Sequence, residues 1–361
     1  MRIVYDFQAL RMQKFGGISR YHYEIFKYLK KDKSLKVKLP IICAENFYFR
    51  NAIFYVKRIP FGNYFLNLQI MKLFMKVFGN SIDILHPTYY DVNYLTDQQL
   101  LDKKYKLIIT VHDMIHEKFI QEDKETISAK RRVVENADGI IAISECTKKD
   151  LLYYFPDIDA DKIRVIYHGC SMQQCSEVST KIVLPEKYIL YVGERGGYKN
   201  CITLLNAFPK VLKKHKDVKL VCVGGGAFTK GEQEIIEGLG LTNYVQQYSM
   251  TDEELSMAYG NAQAFIFPSK YEGFGIPILE AFKCKCPVIL ANASCFPEIA
   301  EDAAIYFGQD DSDELADKMI ELLDNPALRE KLIRKGVARV QSFSWEKAAE
   351  ETLEFYKYVL R

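Results

Sequence analysis

Two glutamates eight positions apart, Glu272 and Glu280, enclose the run Gly273-Phe274-Gly275-Ile276-Pro277. The four apolar residues before them, Ala264-Phe265-Ile266-Phe267, read as a short strand buried on both faces. Pro277 suits the first turn of a helix, where its missing N–H costs nothing, and not the middle. The order is therefore strand, glycine loop, helix start. Unpaired N–H groups at a helix start attract an anion such as a diphosphate. Glu272 then sits in the loop and Glu280 about one turn into the helix. One carboxylate is placed to meet a sugar and the other a ribose, with phosphates between them.

Other residues invite the same chemistry less strongly. Gly193, Gly196 and Gly197 follow a strand-like run, as do Gly224 to Gly226, but neither set is G-x-G-x-x-G, so a nicotinamide dinucleotide site has no support. Tight turns after strands would use the same glycines. Arg195 and Lys199 tip the first loop towards a diphosphate, the one as a planar fork and the other as a point charge. Gly16 and Gly17 open a helix and would let backbone approach a ligand. His112 and Asp113 end a strand, where a histidine is more often structural than catalytic. No H-x-H, D-x-D or carboxylate cluster suggests a metal. Nine cysteines without C-x-x-C spacing read as reduced thiols of a cytoplasmic protein.

These residues need a scaffold that repeats strand and helix. A chain of 361 residues is long enough for two domains, and 48% apolar with 27% charged residues is a globular composition. Strand-like runs alternate with helix-like ones, the pattern of a parallel sheet covered on both faces. Expected strands are 2–5, 36–42, 82–85, 107–111, 139–143 and 165–167, with His86 and His112 pointing out past the sheet edge. Ser144 is the expected cap of the helix that follows. Residues 169–186 lack a period and read as a linker. The pattern resumes with strands 188–192, 219–223, 245–248, 264–267 and 288–290. Helices are expected at 20–29, 201–215, 231–239, 252–259, 277–283, 312–322 and 326–341, and over an amphipathic segment from Trp345. Two Rossmann-like halves follow: 1–170, and 187–344 after a linker at 171–186.

The net charge of +2 hides an asymmetry, since residues 1–80 hold 15 Lys/Arg and 4 Asp/Glu. That bias suits an anionic partner or merely solvated helix faces. No nucleic-acid module accompanies it, so nucleic acid is not an expected partner. In residues 50–78, Phe54, Tyr55, Phe61, Tyr64, Phe65, Phe74 and Phe78 lie among Lys57, Arg58, Lys72 and Lys76. This suits an interface with an anionic membrane, or a core helix pair with exposed lysines. The N-terminus lacks the apolar stretch of a signal peptide, and no run approaches the length of a membrane span.

Taken together, the E-x7-E element in its PSKYEGFGIPILEA context resembles the signature of the retaining glycosyltransferases of family 4. The resemblance continues through Gly193-Glu-Arg195-Gly-Gly-Tyr-Lys199-Asn200, Thr110-Val-His112-Asp113, Ala142-Ile-Ser144-Glu145 and Lys162 to Gly169. It covers nearly the whole chain in the family's order. It implies a GT-B α/β fold: two Rossmann-like parallel-sheet domains facing across a cleft, with the C-terminal helix 345–361 crossing back to the first. It implies a donor domain at 187–344 and an acceptor domain at 1–170.

By the same resemblance the enzyme is a metal-independent hexosyltransferase. It would use a GDP- or UDP-linked mannose- or glucose-type donor, needing no cofactor, and a glycan or lipid-linked acceptor in surface polysaccharide assembly. Glu272 and His112 would be catalytic. Arg195, Lys199, Gly17 and the backbone of Phe274, Gly275 and Ile276 would hold the diphosphate. Glu280 would bind the ribose, and Ser249, within Tyr248-Ser249-Met250, the base. One departure stands out, for many relatives have Arg where this chain has Tyr198. A sugar phosphorylase or nucleotide-sugar epimerase of the same architecture, or a silent nucleotide-sugar-binding subunit, are the alternatives.

Overall fold

The computed structural model describes residues 1–12, 16–41, 46, 48–49, 63–174, 180 and 182–361. Phe15 and residues 50–62, which carry part of the aromatic and basic segment, lie outside the described residues. The chain forms two compact units, Met1–His168 with Ser344–Arg361, and Gly169–Phe343.

The first unit holds a six-stranded sheet of β1 (Arg2–Tyr5), β2 (Lys36–Lys38), β3 (Ile84–His86), β4 (Lys106–Val111), β5 (Gly139–Ala142) and β6 (Ile163–Val165). The strand order is β2-β1-β3-β4-β5-β6, and every pair is parallel. The second sheet holds β7 (Tyr188–Val192), β8 (Lys219–Val223), β9 (Val245–Tyr248), β10 (Ala264–Phe267), β11 (Val288–Ala291) and β12 (Ile305–Phe307). Its order is β12-β11-β10-β7-β8-β9, also parallel throughout. Parallel strands covered on both faces read as continuous apolar runs, which is why β10 and β11 are buried at every position.

The expected α/β class stands, with local corrections. The strand expected over 36–42 stops at Lys38, just before Pro40, which has no N–H for a ladder. Strand β12 escaped notice because three residues carry no period. The helix expected from Arg20 begins at Gly17. Ser144 caps its helix as expected, its hydroxyl accepting from the Thr147 N–H at 3.0 Å. His86 and His112 do not point out of the sheet edge but are buried. The stretch 171–186 belongs to the second unit where it is described. There Met172 is buried and the Ser256 hydroxyl donates to the Gln173 carbonyl at 2.7 Å.

The C-terminal helix Trp345–Val359 packs on the first unit. Its residues Trp345, Ala348, Ala349, Thr352, Phe355 and Tyr356 are buried along one stripe. Gly139 in β5 makes room for it, since a Cβ there would come within 2.8 Å of Val359 and 2.9 Å of Phe355. Among the described residues no helix is long and apolar enough to cross a membrane.

Candidate functional site

In an open parallel sheet, ligands bind beyond the carboxyl ends of the strands where the strand order reverses. In the second unit that point lies between β7 and β10. The loops leaving these two strands are 193–200 and 268–275, the two segments singled out in the sequence. They are bound to one another. The Asn200 side-chain amide donates to the Pro268 carbonyl at 3.2 Å and to Asp310 Oδ1 at 3.0 Å. The Lys270 N–H donates to the Tyr198 carbonyl at 2.8 Å, and Lys199 Nζ lies 2.8 Å from Glu272 Oε1. Asn200 holds a left-handed conformation with φ 57 at the start of the helix Cys201–Lys214.

Glu272 is fixed through its backbone. Its N–H donates to Ser294 Oγ at 3.2 Å, and its carbonyl accepts from Ser294 Oγ at 2.5 Å and from the Cys295 thiol at 3.2 Å. Ser294, itself at φ 53, sits 22 positions away from Glu272 and carried no sequence signal. Gly275 adopts φ 88 before the helix Ile276–Lys283, and Phe274 is buried with its ring against Phe343. A Cβ on Gly275 would lie 3.0 Å from Ile278 and 3.3 Å from Phe296. In the first turn of this helix Pro277 has no N–H, and the Ile278 N–H donates to the Gly275 carbonyl at 2.9 Å. Glu280 is buried one turn on, where Tyr259 donates to its Oε2 at 3.5 Å. Ser249 is exposed directly after β9.

Arg195 has partners other than the diphosphate expected of it. Its Nε donates to Glu232 Oε1 at 2.6 Å and its Nη1 to the Gly224 carbonyl at 2.7 Å. Nη2 reaches the carbonyls of Gly225, Gly226 and Ala227 at 3.1–3.2 Å. Gly224, Gly225 and Gly226 have φ 90, 66 and 69, so three left-handed residues in a row turn their carbonyls onto one guanidinium. Arg195 beside it holds the Glu232 carboxyl below the usual range. Of the two cations in this loop, Lys199 is the one that reaches the residues following β10.

Gly17 and His112 lie in the first unit. Gly17 begins the helix Gly17–Leu29, and the N–H of Arg20 donates to the Gly16 carbonyl at 3.0 Å. His112 ends up beside Tyr21, His22 and His168, with ring centroids 5.3, 5.6 and 6.2 Å away. Its Nε2 has no hydrogen-bond partner among the described residues. Burial pushes its pKa down to about 4, so the ring is neutral near pH 7. Strand order in this unit reverses between β1 and β3. A cavity of about 450 Å³ opens there, lined by Phe7, Gln8, Arg11, Tyr64, Tyr89 and Asp91 among others. Tyr64 donates to Asp91 Oδ2 at 3.0 Å under the Arg11 guanidinium. Among the described residues no group of three or more His, Cys, Asp or Glu is placed to hold a metal ion.

Two family models match the chain: Glycosyltransferase Family 4 over residues 15–174, and Glycosyl transferases group 1 over residues 175–339. The chain is 28% identical over 239 residues to O-antigen chain mannosyltransferase B of Escherichia coli, covering 62% of this chain and 61% of that protein. It is 27% identical over 250 residues to alpha-maltose-1-phosphate synthase of Mycobacterium tuberculosis, covering 62% and 64%. The match thus spans about three fifths of these curated relatives. The fold matches sucrose-phosphate synthase from Thermosynechococcus elongatus with a TM-score of 0.77 at 20% identity, over 99% of this chain and 98% of that one. Anabaena HepE in complex with UDP and glucose follows with a TM-score of 0.74 at 19% identity, over 98% of both chains.

Proposed function

We propose that the chain, which glycosyltransferase family models match over residues 15–174 and 175–339, is a retaining hexosyltransferase. It moves a mannose- or glucose-type sugar from a GDP- or UDP-linked donor to a hydroxyl of a glycan or lipid-linked acceptor in surface polysaccharide assembly. Relatives named as an O-antigen chain mannosyltransferase and a serotype-specific mannosyltransferase support the sugar and the setting. The observation that carries the reading is the Lys199–Glu272 pair, which joins the two switch-point loops at the start of the helix Ile276–Lys283.

The donor diphosphate lies at that helix start, on the backbone N–H groups of Phe274, Gly275 and Ile276, with Lys199 as its cation. Lys199 then exchanges its partner Glu272 for phosphate oxygen. Glu272 is released towards the sugar, whose hydroxyls it orients and whose positive charge it answers as the glycosidic bond lengthens. The bond from the anomeric carbon to the diphosphate breaks, and the acceptor oxygen bonds to the same face. The acceptor proton passes to the departing phosphate. Glu280 accepts from the ribose and Ser249 borders the base. Arg195 keeps the glycine loop shaped. In the first unit, His112 keeps a neutral, buried ring whose Nε2 has no hydrogen-bond partner among the described residues. The cavity beside Tyr64 and Asp91 takes the acceptor. Fixed cations and helix N–H groups supply the charge that a metal would otherwise supply. A cytoplasmic setting completes the reading, as a chain of nine cysteines without C-x-x-C spacing suggests.

The test is a panel of GDP- and UDP-sugars with excess chelator, read by thermal shift and then by NMR of the product anomer. A shift with one base, followed by transfer with the donor's anomeric configuration kept, is the expected result. An inverted anomer removes the retaining mechanism. Hexose 1-phosphate formed only with inorganic phosphate indicates a phosphorylase, and an epimerised donor without acceptor an epimerase. Binding without any turnover indicates a silent subunit.

A further inference from the structure

We infer that the helix Asn63–Phe78 of the first unit docks on an anionic lipid bilayer, lying in the plane of the interface. Its inward side is clear, since Asn67, Met71 and Met75 follow one another at helical spacing and are 1%, 0% and 7% exposed. An outward side is normally polar. Here Phe65, Leu73, Val77 and Phe78 are 65%, 63%, 59% and 47% exposed. Half-buried Leu66 and Ile70 and exposed Leu73 and Val77 stand at i, i+4, i+7 and i+11, a second apolar stripe beside the buried one. Exposed Lys72 and Lys76 run beside it, and the Lys38 ammonium lies 5.8 Å from the Phe78 ring centroid.

Charge selects the occupant. The helix contains no Asp or Glu, and residues 1–80 hold 15 basic residues against 4 acidic ones. A second copy seated on this face would bring Lys72 and Lys76 towards their own equivalents with no carboxylate on the helix to answer them. A bilayer containing anionic lipid meets both requirements: acyl chains accept the Phe, Leu and Val side chains, and headgroup phosphates pair with the lysines. Sixteen residues with two lysines are too short and too polar to span, so the helix lies on the surface. The inference does not depend on the sugar-transfer chemistry.

The experiment is co-sedimentation of the full chain with phosphatidylcholine vesicles, with and without phosphatidylglycerol, at low and high salt. Wild-type protein is expected to sediment with anionic vesicles at low salt and to be released at high salt. Lys72→Gln with Lys76→Gln should lower the partition roughly 30-fold, at about 1 kcal/mol per basic residue. Leu73→Ser with Val77→Ser should abolish it. Both variants should keep the wild-type melting temperature and its shift with nucleotide diphosphates. No sedimentation of the wild type overturns the inference, as does sedimentation that neither variant reduces. A concentration-dependent dimer in size-exclusion chromatography that the serine variant dissolves also overturns it, assigning the face to a second copy.

Discussion

Lys199 and Glu272 are neighbours in space across 73 positions of sequence, and the proposed function rests on their pairing. Replacing Lys199 by Met should weaken nucleotide diphosphate binding about 10- to 100-fold, the usual loss of a charge-assisted hydrogen bond of about 1.5–3 kcal/mol. Calorimetry with GDP and UDP checks this. Glu272→Gln should leave that affinity within a few fold and lower kcat at least about 100-fold, because in the proposed mechanism its charge acts on the sugar as the bond breaks. Arg195 behaves differently, since its guanidinium is committed to Glu232 and the carbonyls of the glycine loop. Arg195→Ala should cost about 1.5–3 kcal/mol of stability in urea unfolding. Lys should rescue little of it, because an ammonium cannot reproduce the fork. These partners were invisible in the sequence: Arg195 and Lys199 stand four apart in one loop, and nothing in their types says which one turns inwards.

At the scale of elements, the loop after β10 works because Gly275 lets the chain turn into its helix at φ 88. Gly275→Ala forces a Cβ into that conformation 3.0 Å from Ile278. It should cost about 1–3 kcal/mol and displace the first-turn N–H groups. A lower urea midpoint at unchanged slope, together with weaker nucleotide binding, is the expected pair of results. Strands β7, β8 and β10 were legible because each carries a continuous apolar run of four or five residues, as a buried parallel sheet requires. The short helices Gln8–Met12 and Phe296–Ala300 and the three-residue β12 were not, because a single turn or three residues carry no period.

Each unit of the molecule has its own core, and that of the first encloses an unusual group of histidines. His22, His86, His112 and His168 lie among Tyr5, Tyr21, Trp345 and Tyr356. His86 bonds Tyr356 of the C-terminal helix through Nδ1 and Thr110 through Nε2. Burial pushes His86 down to about 3 and His112 to about 4, and lowers His22 and His168 as well. In the unfolded chain these groups titrate near 6.5, so below that pH the unfolded state binds more protons. Stability is therefore full above about pH 6.5 and falls with acid, by up to about 1.4 kcal/mol per pH unit for each histidine until its folded pKa is reached. Melting temperatures from pH 8 to pH 5 should be flat and then drop, with loss of the near-ultraviolet signal of Trp345.

What the sequence determined by itself was local or periodic. Runs such as Ala264–Phe267, the Pro277 helix start and the loop glycines follow from backbone sterics and burial, which act over a few residues. Two α/β halves followed from the alternation of strand and helix. Only the tertiary structure decided the strand order, since pairing depends on which runs meet, and not on what each run contains. That order puts β7 beside β10 and so brings Lys199 to Glu272, and Ser294 to the backbone of Glu272. It also turned Arg195 onto Glu232 and buried His86 and His112, because close packing, unlike propensity, is set by residues far away in the chain.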